Sequence, residues 1–254
     1  MNERVERPGR DAAVGGYYVY AIVSGKHIAE ARLFTVEDAT LACVTFSDIG
    51  AVIRAAGCDA RLTLPYDALR HARIIQALMR EDTLLPVRFG TILPNEQAVR
   101  ALLAERYLSF KRNLARVMNR VELGLCVLCH REREWSDGQP ETSGATAGPP
   151  PGTRYLRERA FEYAAVERLK RQVTAQAEAI QRRLLPLAVE GQYNVLTDPD
   201  LMVNAQYLVE RSLVELFRSE VRQLQADQPE QHFFCSGPWA PYNFIDHELL
   251  TRGL

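Results

Sequence analysis

Apolar positions recur along the chain with two spacings, every second residue and every third or fourth, and these divide it into strands and helices. Tyr17 to Val23 is a short β-rich run closed by Ser24-Gly25 and reads as the first strand. Leu41 to Phe46 and Gly50 to Ile53 read as two more. Tyr66 to Arg80 is helical, with Leu69, Ala72, Ile75 and Met79 at helical spacing. Thr83 to Leu93 reads as a buried strand with Gly90 near its centre. Asn95, followed by Glu96, caps a long helix in which Val99, Leu103, Tyr107, Phe110, Leu114, Val117 and Val121 recur every three or four positions.

The second half alternates more plainly. Val121 to His130 predicts a strand, and Tyr155 to Leu184 a long helix with Val166, Leu169, Val173, Ala177 and Ile180 on one face. Ala188 to Leu196 predicts a strand, Thr197-Asp198-Pro199-Asp200 a turn, and Leu201 to Val209 a further strand. Arg211 to Gln225 is helical and Gln231 to Cys235 is a last strand. That order, βαββαβ, is the ferredoxin-like split motif. The fold class expected is α+β in two domains: a disordered tail at 1–15, an N-terminal α+β domain at 16–118 and a C-terminal ferredoxin-like domain at 119–254. Composition alone would cut a boundary in the low-complexity stretch between Trp135 and Thr153. Cutting there would separate the strand at Val121 from its helix, so 135–153 is expected to be a disordered surface loop inside the second domain.

Composition narrows the function classes. A length of 254 residues, 47% hydrophobic and 25% charged, suits two soluble globular domains. Net charge is −1, so no basic field exists to hold nucleic acid or an anionic membrane. The polar, charged stretch from Met1 to Gly16 is neither signal peptide nor anchor, and no apolar run approaches a membrane span. Five cysteines without an export signal indicate reduced thiols and a cytoplasmic location.

Candidate chemistry is sparse. Cys126 and Cys129 have the spacing of a redox or zinc pair, and His130, His232 and Cys235 could join them if the first and last strands pair. Yet strand residues three apart point to opposite faces, redox pairs of this kind open helices, and zinc needs four convergent ligands. Buried free thiols are the expectation, with no metal and no cofactor. His71 lies between Arg70 and Arg73 with no local nucleophile or orienting carboxylate, and is expected to be solvated or at the core edge. The chain holds no G-x-G-x-x-G, Walker-type loop, H-E-x-x-H or G-x-S-x-G, so no enzymatic chemistry is expected. In Leu85-Pro86-Val87-Arg88-Phe89-Gly90-Thr91 one arginine interrupts an apolar run. It must be paired within its domain or reach out to solvent or a partner.

The most directive segment is Gly237-Pro238-Trp239-Ala240-Pro241-Tyr242-Asn243-Phe244. Two prolines remove two donors and fix φ, giving a stiff, extended segment that sets the directions of three rings. Ordering rings costs little entropy and presents large apolar area, which suits docking; the same rings could instead seal their own domain. The candidate partner-binding residues are Arg88, Phe89, Trp239, Pro241, Tyr242 and Phe244.

These landmarks together resemble the gas vesicle accessory proteins of the GvpF/GvpL type. The resemblance rests on Tyr17-Tyr18-Val19-Tyr20-Ala21-Ile22-Val23, then His71 on a helix, Leu85 to Thr91, and Glu122-Leu-Gly124 leading a strand. It continues through Tyr155-Leu156, the run from Leu201 to Val209 with Asn204-Ala205, and the terminal octapeptide. Departures are Ala240 where the family usually has a second proline, Asn243 where it has serine, and Cys126 where a basic residue is common. The resemblance implies a non-enzymatic accessory or minor structural protein of gas vesicle assembly. Its implied partners are the small hydrophobic shell protein and other gas vesicle accessory proteins, and its implied location is the cytoplasm and the gas vesicle. The alternative from the fold reading is a small-molecule-binding or regulatory module. RNA binding on the sheet is disfavoured, because Val121 to His130 holds no aromatic residue.

Overall fold

The computed structural model describes residues 14–24, 33–36, 39–57, 66–129, 151–195 and 201–246. The expected tail up to residue 13, most of the expected loop (135–150), His130 and the Thr197–Asp200 turn lie outside the described residues. The described part mixes helix and sheet in two units. One takes in the described residues of Met1–Val121 and Trp239–Leu254; the other is Glu122–Pro238. The second domain was expected to run on to 254, whereas the chain from Trp239 belongs with the first unit, where Ile245 enters the core.

Unit 1 contains β1 (Val14–Ser24), β2 (Leu33–Val36), β3 (Ala39–Phe46), β4 (Ile49–Gly57), α1 (Tyr66–Glu81), β5 (Leu84–Pro86), β6 (Ile92–Leu93), α2 (Glu96–Glu105) and α3 (Tyr107–Val117). The sheet order is β2-β3-β4-β1-β5, with β6 also on β1. Strand β1 is central because its aromatic and β-branched residues suit burial on both faces: Tyr18 to Val23 are all buried. Simple alternation would put Val19 and Ile22 on opposite faces, yet both join one core cluster with Val99, Leu103, Phe110 and Leu114. The register explains it. Val19 faces Ile53 and Ala21 faces Val52, so Tyr20 is the extra residue of a bulge that resets the alternation. Tyr18 and Tyr20 are thereby turned toward α1, where Tyr20 stacks on His71.

Three sequence expectations in this unit need correction. The run from Thr83 to Leu93 is two short strands rather than one. From Pro86 to Ile92 the chain advances six positions while β1 advances three, Ala21 to Tyr18, so the excess loops outward as a turn. The long helix after Asn95 is two helices broken at Arg106 (φ −111°, ψ 16°). The apolar period runs unbroken across the break, which is why spacing alone predicts one helix. Finally, the buried stripe of α1 is His71, Ile74, Ile75, Leu78 and Met79, while Leu69 and Ala72 are exposed. A stripe through Leu69, Ala72, Ile75 and Met79 is rotated from the buried one because His71, though polar, is buried. The Asn95 cap is as expected, its Oδ1 accepting from the Ala98 amide at 2.8 Å.

Unit 2 carries β7 (Arg120–Cys129), α4 (Pro151–Leu184), β8 (Glu190–Val195), β9 (Leu201–Glu210), α5 (Val214–Asp227) and β10 (Gln231–Trp239), in the sheet order β10-β7-β9-β8. The first three residues of α4 thus fall within the stretch expected to be loop. Single 3-10 turns, Leu185–Leu187 and Arg211–Leu213, lead into β8 and α5. The core side of the sheet, Leu123, Leu125, Val127, Val203, Ala205 and Tyr207, is buried, as are Val173, Ala177, Ile180 and Leu184 of α4 and Phe217, Val221 and Leu224 of α5. Arg183 of α4 ties the helices together, contacting Glu220 and Asp227 of α5 at 2.6 Å each. Cys126 and Cys235 are free and half-buried, rather than buried as expected, and burial pushes both thiols up, so they are protonated at neutral pH. Among the described residues no helix is long and apolar enough to cross a membrane.

Candidate functional site

The turn that interrupts the β5–β6 edge holds Arg88, Phe89 and Gly90. Gly90 has φ +89°, a conformation that disfavours any side chain, and Thr91 closes the turn by donating its amide to the Arg88 carbonyl at 3.3 Å. The Thr91 hydroxyl donates to the same carbonyl at 2.8 Å. Flanking bonds fasten the turn to β1: the Val87 amide donates to the Tyr20 carbonyl (2.8 Å) and the Val19 amide to the Thr91 carbonyl (3.0 Å). Arg88 is exposed at the apex, with no salt bridge among the described residues. Of the two ways an arginine in an apolar run can be accommodated, this one reaches solvent.

Behind the turn lies His71, only 4% exposed, so the expected solvated or edge position is wrong. Its Nε2 is 3.1 Å from the Val87 carbonyl oxygen and its Nδ1 is 2.9 Å from the Tyr18 hydroxyl. A carbonyl can only accept, so Nε2 carries the proton; Nδ1 is then bare and accepts from Tyr18. The Tyr18 oxygen in turn accepts the Gly90 amide at 3.1 Å. One directional chain therefore runs from Gly90 N–H through Tyr18 O–H to His71, and out through Nε2–H to Val87. Burial pushes the imidazole pKa down to about 4, against the smaller opposing pull of the Val87 bond. Burial likewise pushes the Tyr18 hydroxyl up to about 12 and raises Tyr20. Arg54, Asp67 and Arg70 lie close enough to bias these tyrosines, yet all three rings stay uncharged at neutral pH.

The rings pack as a group. His71 stacks on Tyr20 with centroids 5.4 Å apart and planes at 20°, and Phe89 meets the edges of His71 (5.8 Å) and Tyr18 (6.3 Å). Phe89 itself is half-buried. Into the same place comes the terminal segment: the Tyr242 hydroxyl is 3.4 Å from His71 Nε2.

That segment is extended only in part. Strand β10, on the edge of its sheet where a proline is tolerated, runs to Trp239; Tyr242–Phe244 then forms a 3-10 turn, with the Tyr242 amide on the Ala240 carbonyl at 2.8 Å. Ala240, Pro241, Phe244 and Ile245 are buried, Phe244 at 4% exposure. Asn113 of α3 fastens the end, its side-chain amide donating to Asp246 Oδ2 (3.1 Å) and its oxygen accepting the Asp246 amide (3.3 Å). Trp239 is 47% exposed. The six candidate residues therefore separate. Phe89 and Tyr242 meet at His71, Pro241 and Phe244 lie inside unit 1, and Arg88 and Trp239 stand at the surface. Sequence reasoning missed Tyr18, Tyr20 and His71 as the group behind the turn. The available signal was His71 itself, in phase with Ile74, Ile75 and Leu78 on the buried face of α1.

The sequence profile of the family described as "Gas vesicle synthesis protein GvpL/GvpF" matches residues 16–246. Gas vesicle protein L of a Streptomyces species is 31% identical over 186 residues, 70% of this chain and 68% of that one. Gas vesicle protein F2 of Halobacterium salinarum is 26% identical over 237 residues, 90% of this chain and 91% of its own. In fold, the crystal structure of the gas vesicle protein GvpF from an Anabaena species is similar at a TM-score of 0.72, covering 91% of this chain and 98% of that one at 17% identity. The GvpF of Microcystis aeruginosa is similar at a TM-score of 0.70, with the same coverage of this chain and the same identity. A match spanning nearly the whole sequence leaves one conclusion: the chain belongs to the GvpL/GvpF family of gas vesicle proteins.

Proposed function

We propose that the protein is a non-enzymatic component of gas vesicle assembly that binds the small hydrophobic shell protein. It would do so through Arg88 and Phe89 on their turn, and through Trp239. Tyr242 borders that surface, and Pro241 and Phe244 support it from inside. The observation that carries this reading is an exposed indole and an exposed guanidinium, both on backbone fixed by hydrogen bonds and proline. A subunit that lines a gas space has an apolar face to shield before it assembles, and such faces aggregate when left open. A rigid ring offers that face apolar area at low entropic cost, and a fixed cation offers a polar group to set orientation. We place this work in the cytoplasm and at the gas vesicle, with other gas vesicle accessory proteins as further partners. We also take unit 2 to be a ferredoxin-like domain, since its βαββαβ order and β10-β7-β9-β8 sheet are those of the split motif.

The small-molecule alternative has a cleft of about 520 Å³ lined by Tyr17, Pro94, Asn95, Glu96, Gln97 and Arg100. Its one cation, Arg100, is already bonded to Glu96 and to the Thr45 carbonyl, which favours the docking reading. Co-expression tests it. The protein should hold the shell protein in the soluble fraction, and Trp239→Ala should lose that effect. The variant should still fold cooperatively, because the indole is half exposed. A Trp239→Ala protein that unfolds, or that still keeps the shell protein soluble, refutes the assignment.

A further inference from the structure

Arg88 and Phe89 are bracketed by two hydrogen bonds, one residue to either side, and both trace back to a single imidazole. On one side the Val87 carbonyl accepts from His71 Nε2. On the other the Gly90 amide donates to the Tyr18 hydroxyl, which donates to His71 Nδ1. Tyr242, from the terminal segment, brings its hydroxyl to the same Nε2 edge. Few side chains could fill this position. It needs a donor and an acceptor at opposite corners of a flat group that also stacks on Tyr20 and meets the edge of Phe89. A neutral imidazole supplies all three. A phenyl ring would stack but would leave the Val87 carbonyl and the Tyr18 hydroxyl with lost partners in a buried place.

We infer that His71 is a positioning residue for partner docking. It touches no partner itself, and it sets the direction in which Arg88 and Phe89 are presented while tying the terminal segment to the same ring. The inference rests on the docking reading above and goes beyond it, because it moves control of the surface to a side chain inside the fold. Tyr20 backs the ring from β1, the bulge at Tyr20 makes that stacking possible, and Gly90 lets the turn come back toward Tyr18.

The test begins with Tyr18→Phe, which deletes the one oxygen shared by the Gly90 and His71 bonds and keeps the ring. Amide exchange at Gly90 should speed up about tenfold, the effect of losing one hydrogen bond of ordinary net strength, while β3 and β4 amides keep their protection. Retention of co-expressed shell protein in solution should fall several-fold, by roughly the same factor. His71→Phe should reproduce both changes; if it does not fold, Tyr18→Phe still decides. Unchanged exchange at Gly90 in Tyr18→Phe overturns the inference. So does faster exchange with wild-type retention of the shell protein, since orientation of the turn would then not matter. The docking reading fails separately, if an Arg88→Ala, Phe89→Ala double variant retains the shell protein as well as wild type does.

Discussion

Acidifying the protein from pH 7 toward pH 4 should destabilise unit 1 through His71, and the size of the effect follows from its burial. In the unfolded chain the imidazole takes up a proton near its ordinary 6.5, whereas in the folded unit it does so only near 4. The unfolded state therefore binds the extra proton first as pH falls. The stabilisation linked to the neutral ring is complete above pH 6.5 and is lost progressively down to about 4. A separation of that size is worth about 3 kcal/mol over the interval, a large share of the stability of a domain of this size. Urea titrations at stepped pH, read from β1 amide signals, would measure it against His71→Gln, which has no titrating ring. Carboxylates held low by ion pairs, such as Asp48 beside Lys111 and Tyr107, are common to both proteins and cancel in the difference. Wild type should lose about 3 kcal/mol relative to the variant between pH 7 and pH 4. Parallel loss in the two proteins, or a ring that titrates near 6.5 in the folded state by NMR, would refute the argument.

Two further outcomes follow from packing and charge. Phe244→Ala should cost unit 1 about 3–5 kcal/mol, because it empties a buried aromatic site; calorimetry showing a shift near that of a surface substitution would contradict the sealing role. Arg183→Ala removes both contacts to α5 but leaves groups that are partly exposed, so the denaturant midpoint of unit 2 should barely move, and a clear drop would mean the clip matters more than its exposure implies.

Much of the element order was legible in the sequence. Asn95 announced α2, the alternation from Leu201 announced β9, and the βαββαβ run was readable because its helices and strands are long and strongly periodic. The misses share a cause, which is that periodicity reports only local phase. It could not show that Tyr20 is an extra residue opposite β4, since a bulge is defined by its partner strand. Nor could it show the break at Arg106, where the stripe continues and neither glycine nor proline marks the change. His71 was misplaced because polar residues are assigned outward by default, and only the facing Tyr18 and the Val87 carbonyl make its burial affordable. Gly90 was the single local hint of the turn. The octapeptide stands out in the sequence by its prolines and rings, but its division into buried Phe244 and exposed Trp239 depends on where the chain returns.

That return orders events at the ribosome. The core beneath α2 and α3 includes Ile245, and Asn113 waits for Asp246, so unit 1 stays unfinished until the whole of the intervening unit has been synthesised. At ordinary elongation rates the delay is on the order of ten seconds. Throughout it the place that Ile245 fills in the core stays open on the nascent chain. The first half of the chain therefore closes its core only once Ile245 and Asp246 have emerged.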